Sequence, residues 1–356
     1  MHPPSCSSIS NSYSSISDDV LEKVEEMTTL ICHELRTPLT SIQGALKLLK
    51  YEQFAHLSVE GEKLLSIAVE GATRLNRLAN MLEYQSETFP SLLSTQDLEK
   101  LKLANEIVYG LNHQEFFLDY QPIISTRDNK AYGFEALARW HHPSKGLISP
   151  EIFIPIAEKS GFIKQLGLFF LEEACHQLQI WQKEFSSQSP ITMSLNLSSL
   201  QLSEPALSQK IHQALQKNNI LPDTLKLEIT ESALMENHDE AIENLFRLRE
   251  IGVQIYLDDF GTGYSSLSRL QNLHVDALKI DKSFILSQNW ILSEAIILLA
   301  SRLQLDVIAE GVETSEQLNS LRSMGCQNVQ GYYFAKPMSS QKASQFIADN
   351  IAQRPE

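Results

Sequence analysis

From about residue 18 to Tyr51 the apolar positions Met27, Leu30, Ile31, Leu35, Leu39, Ile42, Leu46 and Leu49 recur at steps of three or four. That period predicts a long amphipathic helix. After a short break a second stripe follows, built from Leu64, Leu65, Ala68, Ala72, Leu75, Leu78 and Leu82. Two such helices form a hairpin with too little core to stand alone, so pairing with a second copy into a four-helix bundle is the economical solution. Residues 1–17 are Ser-rich with few apolar groups and read as a disordered tail. Past SETFPSLLSTQ the pattern changes to strand-like runs alternating with helical ones. The runs are FFLDYQPII, YGFEALARW, ITMSLNLS, TLKLEIT, VQIYLDD, ALKID, LDVIAE and VQGYYFA, with helical stretches at 164–185, 203–218, 236–251, 290–304 and 314–324. This repeating βα order over about 240 residues predicts an α/β fold of the TIM (β/α)8 type. The expected organisation is a tail at 1–17, a helical hairpin at 18–90, a linker at 91–111 and a barrel at 112–352.

Composition narrows the function classes. With 356 residues, 43% of them hydrophobic and 21% charged, the chain is globular and long enough for roughly two domains. No run approaches the roughly 18 consecutive apolar residues of a membrane span, and the N-terminus lacks the basic and apolar segments of a signal peptide. The expectation is a soluble, cytoplasmic protein. Cys6, Cys32, Cys175 and Cys326 show neither pairing nor zinc spacing, which suits a reducing compartment. A formal charge of −15 argues against a nucleic-acid polymer as partner, because a polyanion calls for a basic stripe. A small anionic ligand stays compatible where cations meet it locally.

The candidate chemistry sits at strand ends. Nearly every predicted strand carries a polar residue in its second half or just beyond: Gln121, Glu135 with Arg139, Asn196 with Ser198, Glu228 with Glu231, Asp258 with Asp259, Lys279 with Asp281, Glu310 with Glu313, and Gln330. In a βα barrel these ends converge on one mouth, where chemistry is assembled. Glu135, Leu137 and Arg139 share one strand face, which allows a carboxylate for metal beside a planar fork for phosphate. Asp258 and Asp259 would point to opposite faces of an ideal strand, so both reach one site only if the chain leaves strand geometry there, and Gly261 and Gly263 permit such a turn. The same residues also read as Asp259-x-Gly-x-Gly, a pattern that can line an ATP pocket. An oxygen-only ligand set of carboxylates and the Asn196 amide favours Mg²⁺ or Mn²⁺ over Zn²⁺. Its size exceeds the needs of one ion and fits two, an arrangement suited to in-line attack of water on a phosphodiester.

The ordered segments QPI (121–123), EALARW (135–140), HHPSKGLISPEIFIPIAEKSGFI (141–163), NLS (196–198), EITES (228–232), DDFGTGYSSL (258–267), KIDKSF (279–284), AEGVET (309–314) and QGYYFAKP (330–337) resemble the EAL-type cyclic-di-GMP phosphodiesterases. The resemblance covers residues 112–350 and implies a modified TIM barrel that hydrolyses cyclic di-GMP to linear pGpG with two Mg²⁺ or Mn²⁺ ions. Position by position, it makes Glu135, Asn196, Glu228 and Asp258 ligands of the first metal, and Asp258, Asp259 and Glu310 ligands of the second. Lys279 matches the lysine that contacts the nucleophilic water. Gln121, Leu137, Arg139, Glu313, Gln330 and Pro337 fall where the family shapes the nucleotide site, and Glu231 matches the glutamate that orders the DDFGTGYSSL loop. Every matched position is retained, so the resemblance implies an active enzyme. The stretch between KIDKSF and VIAEGVET is a few residues shorter than usual, in a region that helps form the family's dimer contact.

HELRTPLTSIQGALKLL (33–49) and RLNRLANMLEYQSE (74–87) resemble the dimerisation and phosphoacceptor domain of sensor histidine kinases. The resemblance implies a homodimer and phosphoryl capture on His33, with Glu34 as the neighbouring acid/base group, Thr37 placed to position water and Pro38 kinking the helix. No partner ATP-binding domain follows, so a phosphoryl donor of the two-component class, a histidine kinase or response regulator, would act in trans. Two further readings stand beside hydrolysis. One is a receptor that binds cyclic di-GMP without cleaving it and signals through the helical bundle. The other, a kinase using the Asp259 motif for ATP, lacks an asparagine-rich companion box.

Overall fold

The computed structural model describes Ile42 and residues 95–352, apart from 187–189, 232, 234–238 and 263–274. The chain divides into two compact units, Met1–Lys102 and Leu103–Glu356. The predicted hairpin, with His33, Glu34, Thr37 and Pro38, lies outside the described residues except for Ile42, which is helical and exposed. Helix α1 (Thr95–Asn112) occupies much of the segment expected as a linker and buries Leu103, Ala104 and Ile107. No helix among the described residues is long and apolar enough to cross a membrane.

The second unit is a closed barrel. Strands β1 (Phe116–Ser125), β2 (Ala131–His142), β4 (Thr192–Asn196), β5 (Leu225–Thr230), β6 (Gln254–Phe260), β7 (Ala277–Ile280), β8 (Asp306–Ala309) and β9 (Asn328–Val329) pair in that order, and β9 returns to β1. The short β3 (Gly146–Ile148) extends β2 from outside the ring. From β2 through β9 the ring strands are parallel, whereas β1 runs antiparallel to both its neighbours. The cause is the connection after β1: residues 126–130 are far too few for the dozen or more that a parallel crossover needs. They close a hairpin instead, with Ser125 N–H donating to the Lys130 carbonyl at 2.9 Å.

Alternation along the strands separates the layers. Tyr120 and Phe134 face outward onto Trp181 of α3 (Ile163–Glu184), and Phe116 packs against Trp140, Phe153 and Phe170. Helix α2 (Pro150–Ser160), which the periodicity did not predict, carries Phe153; Pro150 opens it where a missing N–H costs nothing. The helix predicted at 203–218 begins four residues later, as α5 (Leu207–Asn218), and the short α4 (Ser199–Leu202) lies before the predicted range. Among the described residues, helices α6 (Asp239–Ile251), α7 (Lys282–Leu286), α8 (Trp290–Leu303), α9 (Ser315–Ser323) and α10 (Ser340–Ala352) also belong to the coat.

The run VQGYYFA is not a full strand. Its ladder stops at Val329, and the chain then crosses the Val312 backbone so closely that a side chain on Gly331 would stand 2.1 Å from the Val312 carbonyl oxygen. Only glycine allows that crossing of backbones. Val312 N–H donates to the Gln330 carbonyl and Tyr333 N–H to the Val312 carbonyl, which lock the turn.

Candidate active site

Lys279 projects from β7 into the barrel and is fully buried, an unusual fate for a lysine unless it is paired. Its Nζ lies 2.5 Å from Glu310 Oε1, 2.7 Å from Glu228 Oε2, 3.4 Å from Asp258 Oδ1 and 3.5 Å from Glu135 Oε2. The partners come from β2, β5, β6 and the residue after β8, so the site exists only because the ring closes. Glu135 is fixed from both sides: Asn196 Nδ2 donates to its Oε1 at 2.8 Å, and Gln330 Nε2 to its Oε2 at 2.8 Å. Gln330 also donates to Gln121 Oε1, and Gln121 donates to the Ala335 carbonyl.

The electrostatics follow from four carboxylates sharing one ammonium. Burial alone would lower the Lys279 pKa, but Asp258, Glu135, Glu228 and Glu310 together hold it well above its usual value. Burial favours protonation of Glu135, yet Lys279 and the amides of Gln330 and Asn196 keep it below the ordinary range. Burial and the neighbouring Glu135 drive Glu228 well above that range, and burial pushes Glu310 up to about 8 despite Lys279. Four carboxyl groups thus compete for one ammonium, and Glu228 and Glu310 relieve the crowding by holding protons.

The strand geometry at Asp258 and Asp259 breaks in an unexpected place. The β6–β7 register shifts between Leu257 and Phe260, and Asp259 itself takes a left-handed backbone with φ 54°. The bend therefore begins at the aspartate, before Gly261 (φ 97°), and Gly263 lies outside the described residues. Aspartate is among the few non-glycine residues that tolerate this region. Partial burial, then the charge of Asp258, raise the Asp259 pKa.

The remaining predicted positions stand apart from the Lys279 cluster. Leu137 and Arg139 are half-buried on β2, and Arg139 Nε donates to Asp119 Oδ2 at 2.8 Å. Glu313 is exposed and Pro337 half-buried. Glu231 follows β5, while the 263–267 part of the loop it was expected to order lies outside the described residues. Asp119, which orients Arg139, was missed in the sequence, although its spacing of two from Gln121 places both on one strand face.

A divalent cation fits this donor set. Among the described residues no three His, Cys, Asp or Glu side chains form a ready-made metal cage, and Glu135, Glu228, Asp258 and Glu310 all lie against Lys279. Even so, Glu228 Oε1 is buried without a hydrogen-bond partner. An orphaned carboxyl oxygen, more carboxyl groups than one ammonium can pair and oxygen-only donors are the requirements a hard cation meets.

Fold and site together define an α/β barrel with an acidic, lysine-centred mouth. Residues 104–337 match the EAL domain model, and the chain belongs to that family; residues 23–88 match the His Kinase A (phospho-acceptor) domain. The cyclic di-GMP phosphodiesterase NbdA of Pseudomonas aeruginosa is 36% identical over 81% of this chain and 37% of its own length. The oxygen sensor protein DosP of Escherichia coli is 40% identical over 68% of this chain and 31% of its own. The chain thus spans about a third of these relatives. A solved MucR phosphodiesterase in complex with c-di-GMP is 38% identical with a TM-score of 0.65, covering 68% of this chain and 99% of the other.

Proposed function

We propose that this chain hydrolyses cyclic di-GMP to linear pGpG. The observation that carries the reading is Lys279 buried at the barrel mouth within reach of Glu135, Glu228, Asp258 and Glu310, with Glu135 held by Asn196 and Gln330. The phosphodiesterase names of the relative NbdA and of the solved MucR complex support it.

Two Mg²⁺ or Mn²⁺ ions, held by Glu135, Asn196, Glu228 and Asp258 and by Asp258, Asp259 and Glu310, would supply activation of water and neutralisation of phosphate charge. The chain does the rest. Lys279 holds the attacking water or a phosphoryl oxygen, and its charge stays in place because four carboxylates enforce it. Arg139, aimed by Asp119, offers its fork to a phosphate. Gln121, Leu137, Glu313, Gln330 and Pro337 shape the nucleotide pocket. Water oxygen bonds to phosphorus, the bond to one 3′ oxygen breaks, and that oxygen leaves as a hydroxyl. The opened dinucleotide keeps a 5′-phosphate.

The His Kinase A match supports a dimeric helical region in which His33 receives a phosphoryl group from a histidine kinase or response regulator. The decisive experiment incubates purified protein with cyclic di-GMP and Mg²⁺ or Mn²⁺ and follows pGpG. Turnover no faster than that of Glu135→Ala would reject hydrolysis, and tight binding of intact ligand would select the receptor reading. For His33, phosphotransfer in the presence of the cognate donor should change the rate or the dimerisation, and a His33→Gln variant indistinguishable from wild type would leave the hairpin only a dimeriser.

A further inference from the structure

Gln317 stands at the third position of α9 and is buried. Its side-chain oxygen accepts from Thr314 N–H at 3.0 Å while its own N–H donates to Thr314 Oγ1 at 3.2 Å, the reciprocal pair of a capping box. Capping does not account for the remaining bonds. The same oxygen takes Glu313 N–H at the shorter distance of 2.7 Å, and Nε2 donates across to the Ile285 carbonyl of α7 at 3.3 Å. A glutamate would satisfy the cap equally well, but an ionised carboxylate would then face the Ile285 carbonyl with nothing to donate. Glutamine is the residue that does both.

The loop so held is the one that carries Glu310 and Glu313. Glu310 N–H donates to the Ile280 carbonyl, and Val312 N–H to that of Gln330. Gly311, with φ 74°, lies against α7 so closely that a side chain there would come within 2.6 Å of Lys282 Cβ. Helix α7 itself begins three residues after Lys279 and is capped by Asp281.

We propose that Gln317 is a positioning residue for the active site: its single amide sets the Glu310–Glu313 loop and ties it to the helix that follows Lys279. This rests on the hydrolytic reading of the same mouth. Gln317→Glu keeps the acceptor for the cap and loses the tether to Ile285, whereas Gln317→Met loses both. In the full chain both variants should lower kcat by roughly ten- to hundredfold and weaken Mn²⁺ binding measurably, the range seen for groups that orient metal ligands. A purely structural clamp would instead lower the melting temperature and leave the rate per folded molecule unchanged. Residue-resolved amide exchange on the wild type is the second arm and needs no turnover: Glu313 and Thr314 N–H should exchange slowly although both residues are exposed. Folded variants with wild-type kcat and Mn²⁺ affinity would overturn the proposal, and so would fast exchange of those amides in the wild type. Absence of turnover in the wild type would reject hydrolysis, and the Mn²⁺ affinity of the variants, read together with the exchange result, would still decide the role of Gln317.

Discussion

Lys279 and Glu310, on neighbouring parallel elements, meet at 2.5 Å inside the barrel, and the contact sets both groups' chemistry. Glu310 would protonate more readily without the ammonium, and the ammonium is kept charged partly by Glu310. Breaking a buried pair leaves an uncompensated charge. Lys279→Met should therefore abolish turnover and destabilise the metal-free protein by about 3–5 kcal/mol. Added Mn²⁺ should recover much of that stability, since the ions replace the missing positive charge; thermal melts with and without metal measure it.

Metal binding should be pH-dependent. In the metal-free protein Glu310 holds its proton up to about 8, and Glu228 is raised as well. Because the metal binds the ionised form, Mn²⁺ affinity should climb as pH rises towards 8, by roughly tenfold per unit for each proton released. Without metal the sign of the stability trend reverses: the folded state keeps a proton that the unfolded chain has lost, so stability falls between about pH 4.5 and 8. Calorimetry in buffers of different ionisation enthalpy counts the protons.

Asp259 holds a left-handed backbone at a proposed metal-ligand position. Asp259→Asn retains a residue that tolerates φ 54° and removes the charge, so stability should change by less than ~0.5 kcal/mol while turnover drops by about a hundredfold or more. Asp259→Val forces a β-branched side chain into the left-handed region and should unfold more readily, by roughly 1–2 kcal/mol. Denaturant midpoints paired with initial rates separate the two effects.

Lys226, buried two residues before Glu228 on β5, is held by Gln254. Burial lowers its pKa to about 8, against some support from Asp223, Asp276 and Asp306. The folded state sheds its proton first, so stability should rise between pH 8 and about 10.5, by up to ~3 kcal/mol. Lys226→Met should flatten that rise when wild type and variant are unfolded in urea at pH 7.5 and 10.

Arg139 owes its aim to Asp119. Asp119→Ala should raise KM for cyclic di-GMP about tenfold while leaving Mn²⁺ affinity unchanged, because the aspartate touches neither Lys279 nor its carboxylates. Paired kinetic and metal titrations test both halves.

Local order in the sequence was enough to determine most of the alternation of strands and helices, the position of Asn196, Glu228, Asp258, Lys279, Glu310 and Gln330 towards or just past strand ends, and the shared face of Arg139 and Glu135, although Glu135 sits within β2 rather than at its end. Those features rest on period and spacing, which neighbouring residues set between them. The short connection after β1 is readable in the sequence and makes the β1–β2 hairpin; tertiary structure alone decided that β9 closes the ring on the other edge of β1. It likewise decided where the Asp258–Asp259 strand breaks, why the last strand stops at Val329, and that Gln317 reaches Ile285. Each of these depends on a backbone or carbonyl distant in sequence, and no local pattern encodes which distant group will arrive there.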